Sequence, residues 1–304
     1  MPEFRRWVLI GILIASACQL KAQDADSLSA VSKNPVLSFA DSLDIFNLID
    51  SLLTLEQLED HSQLAVRLGY NSNVLSAGRT LGIEQFGLMP SLSFYHKSGL
   101  YADVTGFWSN DFQPKYYLTV LSGGYMHTFS KYFSATGNYD RYFYNSDIPD
   151  QAIDFKNTLG ITPYFDYKLL TARVDYSFYF GNQTAHRFMP SVGLNLIKRN
   201  FLKIERIRFL PSAFMLFGNA ISTEVETDPV TGEFSIVENT VFGIMNYAFS
   251  FPLYINHKNW SLSIAYTYNI PEKLSNEIYV PPKAGYISAG LTYYIDLRSN
   301  KLSL

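Results

Sequence analysis

From His61 to Leu297 apolar and polar residues alternate with a period of two, in one long segment after another. Successive side chains of a strand point to opposite faces, so each segment reads as a strand with one apolar and one polar side. Twelve segments carry the pattern: QLAVRLGYNSNV, FGLMPSLSFY, LYADVTGFWS, KYYLTVLSGGYMHTF, YFSATGNYDRYFY, DFKNTLGITPYFDY, LLTARVDYSFYFG, HRFMPSVGLNLIK, ERIRFLPSAFMLFG, FGIMNYAFSFPLYI, WSLSIAYTYNI and AGYISAGLTYYIDL. Most run to about 10 to 15 residues, where soluble strands average about five or six. A tilted strand crossing a bilayer needs about 9 to 11.

The connections alternate as well. After the even-numbered segments they are tight: HKSG, SK, YK, RNFLK and NHKN. After the odd-numbered ones they are longer, as in LSAGRTLGIEQ, NSDIPDQAI and PEKLSNEIYVPPK, with NQTA the short exception. Short periplasmic turns alternating with longer external loops are the pattern of an outer-membrane barrel, with an even strand count and both chain ends on the periplasmic side. The expected fold is all-β: a transmembrane antiparallel up-and-down barrel of about twelve strands over residues 61–297, with a short N-terminal periplasmic helix. A closed barrel leaves no sheet edge in hydrocarbon.

Parity assigns the two faces. In the eleventh segment Trp260, Leu262, Ile264, Tyr266 and Tyr268 oppose Ser261, Ser263, Ala265 and Thr267. In TARVDYSFYF, Arg173 and Asp175 share a side with Thr171 and Ser177, opposite Ala172, Val174 and Tyr176. The apolar side faces lipid and the polar side a lumen, where Arg173 and Asp175 can pair. Aromatics reach 16% of the chain, and clusters such as RYFYN and YTYN stand where an interfacial girdle would lie. Pro90, Pro163, Pro190, Pro211 and Pro252 fall inside strand patterns and each removes a ladder hydrogen bond. The expected accommodation is a bulge at each.

The N-terminus reads as a secretion signal over residues 1–22: MPEFRR is basic, and WVLIGILIASA is apolar but too short to span a bilayer as a helix. Cleavage after Ala22 or after Ala17 both fit small-residue sites. The single cysteine, Cys18, lies at this junction, with Ala15 where a lipidation motif usually has Leu, so simple cleavage is expected over lipidation. Residues 23–40 form a polar lead-in. In residues 41–60, Leu43, Phe46, Ile49, Leu52 and Leu53 recur at three- and four-residue steps, the signature of an amphipathic helix. Residues 298–304 are a C-terminal tail.

AQD after the signal, the acidic helix FADSLDIFNLIDSLLTLEQ, then LGYNSNVLSAGRTLG and YHKSGLYADVTGFWS resemble the uncharacterised outer-membrane β-barrel proteins of the Bacteroidetes. The resemblance implies a barrel with a short periplasmic helix, and brings no activity to any residue. Many outer-membrane proteins end on an aromatic residue of the last strand. This chain continues past Tyr294 to LRSNKLSL, which does not fit recognition by the barrel insertion machinery through the extreme C-terminus.

No motif announces chemistry. His61, His96, His127, His186 and His257 have no metal-ligand spacing, and four of them fall near periplasmic strand ends. LSAGRTLG lacks the lysine of a phosphate-binding loop. A net charge of −3 without a basic run gives no reason to invoke a nucleic-acid partner, and none is expected. No cofactor is expected. His186, with Asp147 and Asp150 in a nearby loop, is the one candidate for a barrel-borne hydrolase, but no nucleophile is placed beside it by spacing.

Two charge groups remain. Arg67, Arg173, Arg199, Arg206 and Arg208, with Asp103, Asp166 and Asp175, fall on the inward parity toward the periplasmic end. They are expected either to fill the lumen as ion pairs or to form a constriction for anionic solutes. Glu224, Glu226, Asp228, Glu233 and Glu238 lie in an external hairpin around DPVTG, which is expected to be solvated; a site for divalent cations or a cationic partner is the alternative. The functions this leaves are a narrow channel for small solutes, a structural outer-membrane barrel, a surface scaffold, and least a hydrolase. The surrounding partners are outer-membrane lipid and lipopolysaccharide. The acidic helix complements the basic mouth and is placed there as a plug by charge alone. Deleting residues 24–60 is then expected to raise single-channel conductance; an unchanged value removes the plug.

Overall fold

The computed structural model describes residues 61–72, 87–110, 114–145, 155–227, 234–274 and 282–297, with backbone alone for 220–227 and 234–240. The signal, lead-in, helix and tail, together with Asp147, Asp150, Asp228 and Glu233, lie outside the described residues.

The first seven strands are β1 (Gln63–Asn71), β2 (Gly87–Tyr95), β3 (Leu100–Ser109), β4 (Tyr116–Ser130), β5 (Phe133–Tyr144), β6 (Phe155–Tyr167) and β7 (Leu170–Gly181). The remainder are β8 (Thr184–Leu194), β9 (Leu196–Phe201), β10 (Ile204–Phe209), β11 (Ser212–Thr227), β12 (Phe234–His257), β13 (Trp260–Pro271) and β14 (Ala284–Asp296). Each pairs antiparallel with its neighbours in one sheet. β8 and β9 are one strand interrupted at Asn195, and β10 and β11 one strand interrupted at Leu210 and Pro211; β9 pairs with β10 where β8 pairs with β11. Twelve staves result. The ring closes between first and last, from Gln63↔Asp296 to Asn71↔Ser288. His61 Nε2 lies 3.1 Å from Asp296 Oδ1 at the foot of that seam.

Closure sorts the side chains by parity. Leu68, Ile161 and Phe143 are about half exposed on the outside, and similar residues continue round the ring. An apolar exterior of this extent is far larger than the patches soluble monomers carry. Inward positions are hydroxyls, amides and paired charges, among them Ser93, Thr136, Thr158, Asn246 and Asn269, all buried. Closed, even-stranded, apolar outside and polar inside, the chain is an outer-membrane barrel.

The prolines are accommodated otherwise than expected. Pro90, Pro163 and Pro190 keep a ladder partner on one side, at Leu68, Ala135 and Val174. On the other side the pairing skips two residues and resumes in unchanged register, from Leu88↔Trp108 to Ser91↔Thr105 for Pro90, and likewise at the other two. The missing N–H removes one bond without inserting a residue. The register shifts fall elsewhere, at Phe107/Trp108, Thr128/Ser130, Phe155/Asn157 and Leu216/Phe217. Pro211 does mark a break, between β10 and β11. The exceptional seventh connection is tighter still, a turn at Asn182 and Gln183.

Glycines let large side chains lie along the inner wall. A Cβ on Gly124 would stand 2.5 Å from both the Tyr101 ring and the Gly137 carbonyl oxygen, whereas one on neighbouring Gly123 meets nothing closer than 3.8 Å. Gly124→Ala is expected to lower stability by about 1–3 kcal/mol, the usual penalty for overpacking. Gly123→Ala should be near neutral. Urea unfolding of vesicle-inserted protein compares the two.

Candidate functional site: the polar lumen

The inward charges fall into local groups. Arg67 on β1 reaches over β2: its Nε donates to Ser91 Oγ at 3.0 Å, and its Nη2 lies 3.6 Å from Asp103 Oδ1 on β3. Asp103 also accepts from the Ser93 hydroxyl and, at 2.6 Å, from Thr105 Oγ1. Arg173 Nε lies 3.1 Å from Asp175 Oδ2, so the two charges of the aromatic-rich seventh segment pair along one strand. Thr162 on β6 donates to the other oxygen of Asp175 at 2.9 Å. Alternation alone makes these meetings possible, since i and i+2 of a strand share a face and inward positions of adjacent strands stand opposite one another.

Arg208 is buried on β10. It donates to Asn195 Oδ1 at 2.8 Å and its guanidinium lies 6.0 Å from the Tyr254 ring centroid. Asn195 is the residue that interrupts β8 and β9, so the break supplies a ligand for the arginine. Arg206 is partly buried two residues nearer the tight-turn end, opposite Arg199, which is exposed. Arg199 therefore stands within β9 and out in solvent rather than inside the wall. Asp166 accepts from Thr171 at 2.6 Å, near the same end.

Two buried charges escaped the sequence reading. Arg187 on β8 is buried with its guanidinium 5.0 Å from the Tyr179 ring centroid. Asp140 on β5 is wholly buried, accepts from Asn138 Nδ2 at 2.7 Å, and meets no basic side chain among the described residues. Both sit on the inward parity of their segments, beside Met189 and Tyr142 respectively. Alternation alone therefore puts both on the lumen side.

Toward the end with the long connections the lumen wall turns apolar. Met89, Phe107, Tyr117, Leu118, Val120 and Tyr142 form one buried cluster on β2 to β5. Met189, Phe214, Leu216, Met245 and Ala248 form another on β8, β11 and β12, joined by Leu274 from the connection after β13. Leu274 lies against Gly243, where a Cβ would stand 2.8 Å from its Cδ2. Between these levels Asn246 donates to Asn269 at 2.8 Å.

The histidines do not gather. His96 lies 2.8 Å from Ser98, and His127 stacks on Tyr125. His186 faces outward with its Nδ1 2.8 Å from the Tyr176 hydroxyl and its ring against Phe178. Neither a serine nor a carboxylate meets its ring among the described residues. No group of three His, Cys, Asp or Glu among them has the geometry to hold a metal. In the acidic hairpin the backbone register places Glu224 opposite Val237 and Glu226 opposite Ser235. Glu238 stands opposite Thr223, on the other parity, so these three carboxylates are divided between the two faces of the ribbon.

Removing the charge of one partner from a buried pair strands the other, at a cost of about 3–5 kcal/mol. Asp103→Asn leaves Arg67 in this position and is expected to destabilise by an amount of that order. Asp140→Asn removes a buried charge without a cationic partner and keeps an acceptor for Asn138; it is expected to be neutral or stabilising. Denaturant midpoints of the two variants in one lipid system give the comparison.

No family model matches the chain, and no curated protein matches it significantly in sequence. Among solved structures it is similar to the KdgM porin, at 10% identity and a TM-score of 0.44 over 76% of this chain and 98% of that one. The NanC porin aligns at 11% identity and a TM-score of 0.41, over 76% of this chain and 98% of its own. The translocator domain of the autotransporter NalP from Neisseria meningitidis aligns at 12% identity and a TM-score of 0.41, over 85% and 99%.

Proposed function

We propose that this outer-membrane barrel is a narrow channel for small solutes, with its tight turns and both termini in the periplasm. The observation that carries the reading is the hydrophilic lumen. Hydroxyls, amides and ion pairs line the wall below the two apolar clusters, as they line the water-filled channels of porins. The near-complete burial of Ser93, Thr136, Asp140 and Asn269 leaves no passage along those positions, so the bore must run past the half-buried parts of the wall and be narrow. Arg67 and Arg173 are neutralised by their aspartates, so discrimination by charge falls to Arg208, which is held near the tight-turn mouth by the Asn195 amide and the Tyr254 ring.

A second reading rests on the hairpin of β11 and β12. Their pairing continues nine residues beyond Gly218, from Asn219↔Phe242 to Thr227↔Phe234, after β8 and β13 have left off. At about 3.3 Å per residue the ribbon projects roughly 30 Å. An isolated two-stranded ribbon is marginally stable in water, so a ribbon of this length favours a surface partner.

Planar-bilayer recording of the purified mature chain tests the channel. A small conductance with a modest preference for anions is expected, and Arg208→Gln should abolish the preference while leaving conductance measurable. A barrel that inserts fully and passes no current would refute the channel and leave the ribbon scaffold.

A further inference from the structure

We propose that the tight-turn rim is a binding surface for acidic phospholipid headgroups, centred on Lys131, Tyr132, Tyr167 and Lys168. The inference rests on the membrane placement of the barrel and is independent of whether the lumen conducts.

Each of the five tight turns carries one lysine: Lys97, Lys131, Lys168, Lys203 and Lys258, all exposed. Three of them, Lys168, Lys203 and Lys258, hold a left-handed backbone, with φ of 56°, 68° and 51°. That conformation disfavours any residue with a Cβ and is where glycine or asparagine is cheapest. Lysine stands there against the preference of the backbone, as does Leu202 in the same turn as Lys203.

The side chains at the centre show where the charge is held. Lys131 Nζ lies 4.7 Å from the Tyr132 ring centroid and Lys168 Nζ 5.3 Å from that of Tyr167. The two rings, Tyr132 in the β4–β5 turn and Tyr167 at the end of β6, are themselves 5.4 Å apart and exposed. Two ammonium groups thus flank one aromatic pair at the lower edge of the lipid-facing belt, where exposed Phe129, Phe133 and Leu169 continue the apolar surface. Cationic stems laid along apolar surface with the head at the interface are the arrangement that meets a phosphate at headgroup level.

The acids of this end do not neutralise the pair. Asp166 is engaged by Thr171, Asp296 by His61, and Glu205 accepts from the Lys258 backbone N–H at 3.0 Å. The long connections at the other end have the opposite balance, with Asp147, Asp150, Asp154 and the hairpin glutamates. The headgroup layer that encircles the barrel meets lysines in all five turns at once, whereas a single protein segment meets only an arc. That circumferential spread selects the membrane as the occupant over an acidic segment such as residues 41–60.

Native mass spectrometry of the full mature chain, released from nanodiscs holding equal phosphatidylcholine and phosphatidylglycerol, reads the preference directly. The wild type should retain phosphatidylglycerol selectively. K131Q/K168Q should weaken that selectivity by about tenfold or more, taking the usual contribution of a lysine at an anionic surface. Changing all five turn lysines to Gln, or raising the salt, should abolish it. K115Q/K273Q, at the other end, should leave it intact. Equal retention of both lipids by the wild type, or undiminished selectivity in K131Q/K168Q, overturns the proposal. So does a selectivity that appears only after residues 24–60 are deleted, which would assign the rim to the chain's own acidic segment. Cold gel mobility establishes folding; should the fivefold variant fail to fold, the double variant and the salt series on the wild type still decide.

Discussion

In hydrocarbon a backbone N–H or C=O without a partner costs several kcal/mol, and no water is present to supply one. An antiparallel sheet meets that demand everywhere except along its two edges. The nine-residue ladder between β1 and β14 removes those edges, and everything else about the molecule depends on it. It gives the sheet an inside and an outside, and thereby turns a period-two pattern into a lipid-facing belt and a polar lumen. Pro90, Pro163 and Pro190 can be tolerated because the ring is otherwise complete: each forfeits a bond on one flank, while the other flank holds the register. At the two interruptions, Asn195 and Leu210–Pro211, the paired strands break at the same level, so the ladder continues on both sides.

The lumen is stabilised by short-range arrangements. Arg67 with Asp103 joins β1 to β3, Arg173 with Asp175 stays on β7, and Arg208 uses an asparagine and a tyrosine where others use a carboxylate. Each guanidinium is held by groups that alternation brings to the same face. Asp140 departs from this rule, a wholly buried carboxylate with an amide for company. Glycine is the complement of these large side chains. Gly124 beneath Tyr101 and Gly243 beneath Leu274 are positions where the wall is thin because something lies on it.

Outside the β11–β12 ribbon, the strand boundaries were legible to within a few residues, because hydrophobic alternation at membrane depth is imposed by solvent on both faces and tolerates few exceptions. Inward arginines and aspartates could be named from parity for the same reason. What parity does not contain is depth and distance. Arg199 has the inward parity of Arg206, yet stands exposed near the tip of β9 because that strand continues past Asn195. Asp140 and Arg187 share the inward parity too: Asp140 stands on one rung with Asp103 through Ser122, a neighbourhood that only register shows, and Arg187 lies nearer the long connections. The apolar upper wall was hidden for another reason: Met189, Phe214 and Met245 come from three separate strands, and Leu274 from a connection.

By itself the sequence determined the number of staves, the side each residue takes and the placement of a lysine in every tight turn, because these follow from local periodicity and from where the periodicity stops. Only the tertiary structure decided which residues meet. Which strand adjoins β8 after its break, which carboxylate answers Arg67, and whether two lysines in different turns flank one pair of tyrosines all depend on register and closure. Those are relations among residues far apart in the chain, and no window along it contains them.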